Sequence, residues 1–294
     1  MRLKSILLAV MMLVAYPATK VSAADDVVGK IADEFAVTPN GQVSYEIPIP
    51  VPSGTGGISP KLSITYSSSN KTGLCGYGFD LTGLSMISRV PQNLYNDVGP
   101  GVVTFSSDDR FALDGSRLIS TGTNTYSTEI NSFSKITSAG PADNPTSFTV
   151  QTKDGLTYEY KACNTLLGSQ EKSLFWVVTK VTDTKGNYFT VTYAGDATIN
   201  EVYPTRIDYT GNASASLTPY ASVRFTYDTD PRAMTTYIYG KKVKHTRRIT
   251  AIKLYSGEKI IKTFCLWYVQ NNYVYHNDPQ LSMSNPEQNS IYLV

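Results

Sequence analysis

Histidine is almost missing from this chain of 294 residues, which contains only His245 and His276. Cysteine is also scarce, at three: Cys75, Cys163 and Cys265. Three widely spaced cysteines cannot form a disulfide framework. There is no His-x-x-x-His and no close cysteine pair, so the spacing of a zinc-type site is absent. No Gly-x-Ser-x-Gly elbow occurs, which removes the usual sign of a serine hydrolase. Helical periodicity is confined to Val28, Ile31, Ala32 and Phe35, with Gly29 interrupting it. The longest apolar run, Ser5 to Tyr16, is too short to span a bilayer as a permanent helix. A basic stripe with interleaved aromatics is missing too. The one dense basic run, Lys241 to Arg248, reads as a solvated turn and strand start, and no nucleic-acid partner is expected.

The N-terminus has the layout of an export signal. Arg2 and Lys4 precede the apolar run, and Val21-Ser22-Ala23 supplies the small residues of a cleavage site. Residues 1–23 are therefore expected to be a signal peptide, followed by a short linker over 24–34. Removing Arg2, Lys4 and Lys20 turns a formal net charge of +2 into about −1. The expected destination is outside the cytoplasm, with no membrane span in the mature chain.

What is abundant is strand and turn chemistry. There are 21 tyrosines, with threonine and valine dense beside them, and these residues suit a half-buried pleated surface. Apolar positions alternate in "KLSITYS", and short alternating runs flank Asn40-Gly41, Asp114-Gly115, Asp154-Gly155, Lys185-Gly186-Asn187 and Ser256-Gly257. Hairpin follows hairpin, which predicts an all-β fold of antiparallel hairpins or a meander, forming a large sheet or a sandwich-like shell. The β module is expected over 35–269, with 270–294 a polar tail or a truncated continuation. Cys265 lies in "KTFCLWYV", apolar on both strand faces, and reads as a buried, inert thiol.

The glycine-rich stretch Val51–Arg89 poses the main functional question. "SGTGGISP" has no Gly-Lys-Ser/Thr leading into a helix, and Gly76-Tyr77-Gly78 lacks the third glycine of a dinucleotide fingerprint. These glycines therefore read as backbone devices. Gly54, Gly56 and Gly57 form a turn, and Gly73, Gly76 and Gly78 let the next segment cross a sheet closely. Asp228-Thr229-Asp230 reads as a solvated turn without the distal glutamate of a calcium loop. Asp108-Asp109 before Arg110 reads as a hairpin loop with a local ion pair. His245 reads as a surface or capped residue rather than a base. No catalytic, cofactor-binding or metal-ligating residues are therefore expected.

"GQVSYEIPIPVPSGTGGISPKLSITYSSSNKTGLCGYGFDLTGLSMISR" resembles the N-terminal signature of the SpvB family, the Salmonella virulence plasmid B proteins. The same module opens Tc-toxin B components and Rhs/YD-repeat proteins. The resemblance continues through "DDRFALDGSRLI", "SFTVQTKDGLTYEY", "DTKGNYFTVTY" and "SVRFTYD", to about Val269. It implies β-rich shell or scaffold material that works with a downstream Rhs/YD-repeat or toxin component, and no enzyme. The ADP-ribosyltransferase of the virulence protein lies in a separate domain and uses a Glu-x-Glu pair, and no two glutamates here are two residues apart. The alternatives are a glycan- or protein-binding module using exposed tyrosines and, third, an unrecognised hydrolase. A last expectation concerns "KIIKTFCLWYV": if nothing pairs with its outer edge, that edge is a template for self-association.

Overall fold

The computed structural model describes residues 34–37, 41–270, 273–275 and 288–293. The expected signal peptide, most of the linker and His276 lie outside them. Among the described residues the chain is built almost wholly of strands, and nearly every pairing is antiparallel. The all-β expectation holds.

The first strands are β1 (Glu34–Val37), β2 (Val43–Ile49), β3 (Leu62–Ser67), β4 (Thr72–Gly73), β5 (Gly76–Tyr77) and β6 (Phe79–Thr82). Strands β1, β2, β3 and β6 form a four-stranded sheet, and β4–β5 is a small hairpin beside it. Ile47, Ile49, Leu62 and Ile64 alternate with more exposed positions and are buried, as a period of two requires.

Eight strands follow: β7 (Met86–Val90), β8 (Arg110–Leu113), β9 (Ser116–Gly122), β10 (Thr125–Thr128), β11 (Lys135–Ala139), β12 (Ser147–Gln151), β13 (Thr157–Ala162) and β14 (Phe175–Thr182). Each pairs with the next, and β14 pairs with both β13 and β7. The hydrogen bonding thus returns to its start, giving a closed eight-stranded ring with no free edge. Ile87, Arg89, Phe111, Leu118, Ile136, Phe148, Tyr160 and Trp176 fall on one face by register and are all buried, filling the inside of the ring. Phe111, Phe148 and Trp176 meet edge to face at centroid distances of 5.2 to 5.4 Å. The Trp176 indole N–H, which could not be left unpaired there, donates to the Pro145 carbonyl at 2.6 Å.

The second half of β14 turns away from β7 and pairs with β15 (Asn187–Asp196), then β16 (Glu201–Asn212) and β17 (Ala221–Thr229). A hairpin of β18 (Thr235–Ile238) and β19 (Lys241–Lys244) pairs with neither large sheet. Strands β20 (Arg247–Ser256) and β21 (Lys259–Gln270) complete the main sheet, joined by β22 (Tyr273–Tyr275) and β23 (Gln288–Leu293). The predicted turns fall between strands: Asp114 and Gly115 take φ of 47° and 83°, and Gly155, Gly186 and Gly257 all have positive φ.

One expectation is corrected here. The edge of β21 is not open: β23 lies parallel to it from Thr263 to Tyr268, and β22 pairs antiparallel from Tyr268 to Gln270. Residues read as a polar tail supply the missing backbone partners, so self-association through that edge loses its motive.

The glycine-rich stretch behaves as a set of backbone devices. Thr55–Gly57 is a single 3-10 turn seated on β16, where Thr55 Oγ1 donates to the Thr210 carbonyl at 2.9 Å. Further on, the chain crosses β20 and β21. Ile249 N–H donates to the Leu74 carbonyl at 2.7 Å, and Gly76, at φ 100°, passes against the Tyr268 ring.

Candidate functional site

That crossing delivers Asp80 to a cleft at the junction between ring and sheet. Asp80 Oδ1 accepts from the N–H groups of Leu74 (3.0 Å) and Leu81 (2.9 Å). Asn200 ends the short turn Ala197–Ile199 in the left-handed region, at φ 47°. Its Nδ2 donates to the Lys242 carbonyl at 2.9 Å, which ties the β18–β19 hairpin to the cleft. Tyr193 of β15 donates its hydroxyl to the Val178 carbonyl at 2.9 Å. His245 follows β19 directly. These four side chains, with Leu81, Leu84, Phe175, Val177 and Val202 among the apolar walls, line a cavity of about 320 Å³.

The electrostatics of this cleft are unusual for a structural crevice. Burial pushes the Asp80 carboxyl above its ordinary value, although the two backbone N–H groups and His245 act the other way. Nδ1 of His245 and Oδ1 of Asn200 are buried without a hydrogen-bond partner. His245 itself is half-buried, with Nδ1 turned away from solvent. For Lys241 to Arg248 the strand start holds, since β20 begins at Arg247, but Lys241–Lys244 is a strand and not a solvated turn. Lys241 Nζ contacts Glu171 Oε2 (3.0 Å) and the Lys172 carbonyl (2.8 Å), and Glu201 accepts from the Thr246 N–H and hydroxyl.

Ser85, His245 and Asp80 all line this cleft, yet they do not make a nucleophilic relay. The Ser85 hydroxyl lies 2.6 Å from Asp114 Oδ2 and 2.8 Å from the Tyr160 hydroxyl, and Asp80 bonds backbone rather than imidazole. Among the described residues no three of His, Cys, Asp and Glu are grouped to hold a metal ion. All three cysteines are buried thiols outside any disulfide, and burial pushes the Cys75 and Cys163 thiols up, away from the reactive thiolate.

A second cleft, about 460 Å³, lies against β8–β10 and contains Asp97, Arg110 and Arg117. Its charges satisfy one another: Asp97 Oδ1 takes Arg110 Nε at 2.7 Å, and its other oxygen takes the Asn93 N–H at 2.9 Å with Arg117 at 3.6 Å. The expected local pair between Asp108-Asp109 and Arg110 is thereby corrected. Arg110 reaches Asp97, while Asp109 turns inward to Arg89, whose Nη1 donates to it at 2.8 Å. Asp228 is not in a solvated turn but receives Arg248 Nε and Nη2 at 2.9 and 3.0 Å, and Asp230 is buried. Arg89 went unnoticed in the sequence. Its one signal is a charge at an inward position of the alternating run "MISRV".

A closed antiparallel ring continued into a larger sheet defines an all-β module of the kind seen in toxin-associated proteins. Residues 37–152 match the family described as "SpvB: Salmonella virulence plasmid 65kDa B protein", so the resemblance read from the sequence is shown over that segment. The N-terminal domain of effector protein SpvB from Salmonella typhimurium strain LT2 superposes with a TM-score of 0.56 at 16% identity, covering 74% of this chain and 92% of that one. The TcdB2-TccC3 structure gives a TM-score of 0.61 at 14% identity over 80% of this chain, and the Photorhabdus luminescens Tc holotoxin pore gives 0.60 at 14% over 78%. The chain corresponds to only 15% and 14% of those two toxin chains. At such identities the likeness is one of fold. No curated protein matches by sequence. No helix among the described residues is long and apolar enough to cross a membrane.

Proposed function

We propose that this chain is a non-catalytic, exported β-structural module that contributes shell or scaffold to a toxin-like system of the SpvB/Tc/Rhs type. The supporting observation is the ring: its interior is filled by an aromatic and arginine core rather than by a channel or a reactive constellation. A part built to hold shape needs such an interior, and strand closure removes edges that would otherwise aggregate. Its partner is a toxin component or Rhs/YD-repeat segment, encoded downstream or in the same assembly.

Two measurements test this reading. Co-expression with the adjacent toxin-type product should yield a complex that survives gel filtration. A panel of ester, peptide and glycoside substrates should show no turnover, and turnover lost on Asp80→Asn would refute the non-catalytic assignment. A second reading, glycan binding, has its own observation: Tyr77, Tyr95, Tyr220 and Tyr237 expose 60%, 89%, 64% and 69% of their surface. Micromolar retention on a glycan array, lost on changing those tyrosines to alanine, would favour it.

A further inference from the structure

The cleft at the ring–sheet junction carries an inference independent of the scaffold reading. Its polar atoms are unbalanced in type. Asn200 has its amide N–H committed to Lys242, leaving Oδ1 as an unpaired acceptor. Asp80 uses Oδ1 twice, and no described residue donates to Oδ2. His245 adds a ring nitrogen with no partner. Oxygen acceptors without donors thus collect beside an unpartnered imidazole nitrogen, in a cleft whose remaining walls are mostly apolar and whose Ser85 and Tyr193 hydroxyls are bonded elsewhere. A half-buried carboxylate sharing a cleft with unpaired polar atoms is an unfavourable arrangement, and a donor-bearing cation relieves it.

We infer that this cleft binds a primary ammonium group carried on an apolar stem, with Asp80, Asn200 and His245 receiving the head and Leu84, Phe175 and Val202 packing the stem. The volume of about 320 Å³ suits a single arylalkyl or alkyl chain. Asn200 Oδ1 and His245 Nδ1 are closed to bulk water. The β18–β19 hairpin forms one wall through Ile238 and Val243 and pairs with neither large sheet, so it is the element that yields on entry. The ammonium can come from a free amine or from a lysine side chain of another chain.

The test uses the intact protein and three probes of similar shape: phenethylammonium, neutral 2-phenylethanol and anionic 3-phenylpropionate. Calorimetry or NMR titration should show the cation binding at least about tenfold more tightly than either of the others. Asp80→Asn keeps the acceptor for Leu74 and Leu81, so it should fold, and it should erase the charge preference while leaving weak binding of the alcohol. Leu84→Trp, in the connection between β6 and β7, should weaken all three probes. Nα-acetyl-lysine amide separates the sources: binding tighter than phenethylammonium assigns the head group to a partner chain, and weaker binding assigns it to a small molecule. Equal binding of cation and anion, no binding of any probe, or a preference unchanged in Asp80→Asn would overturn the inference.

Discussion

Arg89 and Asp109 form an ion pair inside the β ring, Nη1 to Oδ2 at 2.8 Å, with side chains 0% and 1% exposed. The guanidinium is otherwise held by the carbonyls of Ser173 (3.1 Å) and Asp143 (2.9 Å), and its carbon lies 5.2 to 5.6 Å from the rings of Phe105, Phe111 and Trp176. A charge in such a place is tolerable only because each of the three guanidinium nitrogens has a partner. Burial lowers the tendency of Arg89 to stay charged, and the Asp109 bond and charge oppose that loss.

Removing one member of this pair should therefore be severe. Asp109→Ala is expected to destabilise by about 3–5 kcal/mol, because it strands a buried cation. Arg89→Met, which also removes the charge that Asp109 faces, should become much milder when combined with Asp109→Leu. Urea denaturation of the two single variants and the double variant gives the coupling directly, and additive losses would show that the pair is not a unit.

Gly76→Val should cost more than about 1 kcal/mol. Gly76 sits at φ 100°, and a Cβ there would lie 3.0 Å from Tyr268 Cε1. Gly57, with φ 83° but nothing within 4 Å, is the control. Gly57→Asn should be far milder, since asparagine tolerates the left-handed region. Equal melting temperatures for wild type and Gly76→Val would contradict the close crossing.

Asp80→Asn should raise stability at neutral pH. The folded-state carboxyl titrates above its ordinary value, so the folded protein binds the proton more tightly than the unfolded chain does. Stability is then lost as pH rises through the unfolded value towards the folded one, and asparagine escapes that loss. The gap between variant and wild type should shrink as pH falls into the acid range. Asp97 supplies the opposite sign. Burial works against its ionisation, yet the Asn93 N–H and Arg110 outweigh it and hold its carboxyl below the ordinary range. Its contribution is present above the unfolded value and fades on acidification through the folded one. Paired pH–stability curves for Asp80→Asn and Asp97→Asn should therefore diverge.

Deleting residues 271–294 should uncover the outer edge of β21, which β22 and β23 otherwise pair. Light scattering is expected to show dimers or larger species for the shortened chain and not for the full one. Identical scattering from both would mean that the edge is protected some other way.

Much of this fold was legible because turn chemistry is local. Asp114-Gly115 and Asp154-Gly155 announce hairpins by supplying residues that tolerate the left-handed region, and the strands beside them follow. Ring closure was not legible, since β7 meets β14 across the whole intervening meander and no short motif encodes such a meeting. Charge pairing failed for a related reason. Asp109 and Arg110 are neighbours in sequence, but consecutive strand residues face opposite ways, so one joins Phe111 on the ring's inner side and the other does not. His245 and Asp80 are brought together only by the glycine crossing, and a sequence lacking a histidine motif gave no sign of it.

Strand β14 belongs to two structures at once: Phe175–Val177 closes the ring against β7, and Lys180–Thr182 carries the sheet through β15. During synthesis, seven strands must wait as an open curl until Phe175 arrives. Only then can the last seam form, while the other end of the same strand is the partner for β15. One strand thus acts as both latch and primer. The β14–β15 hairpin is local and the β7–β14 seam is not, so the hairpin is expected to form first and the seam last, and a lesion in β14 would disturb both halves rather than one.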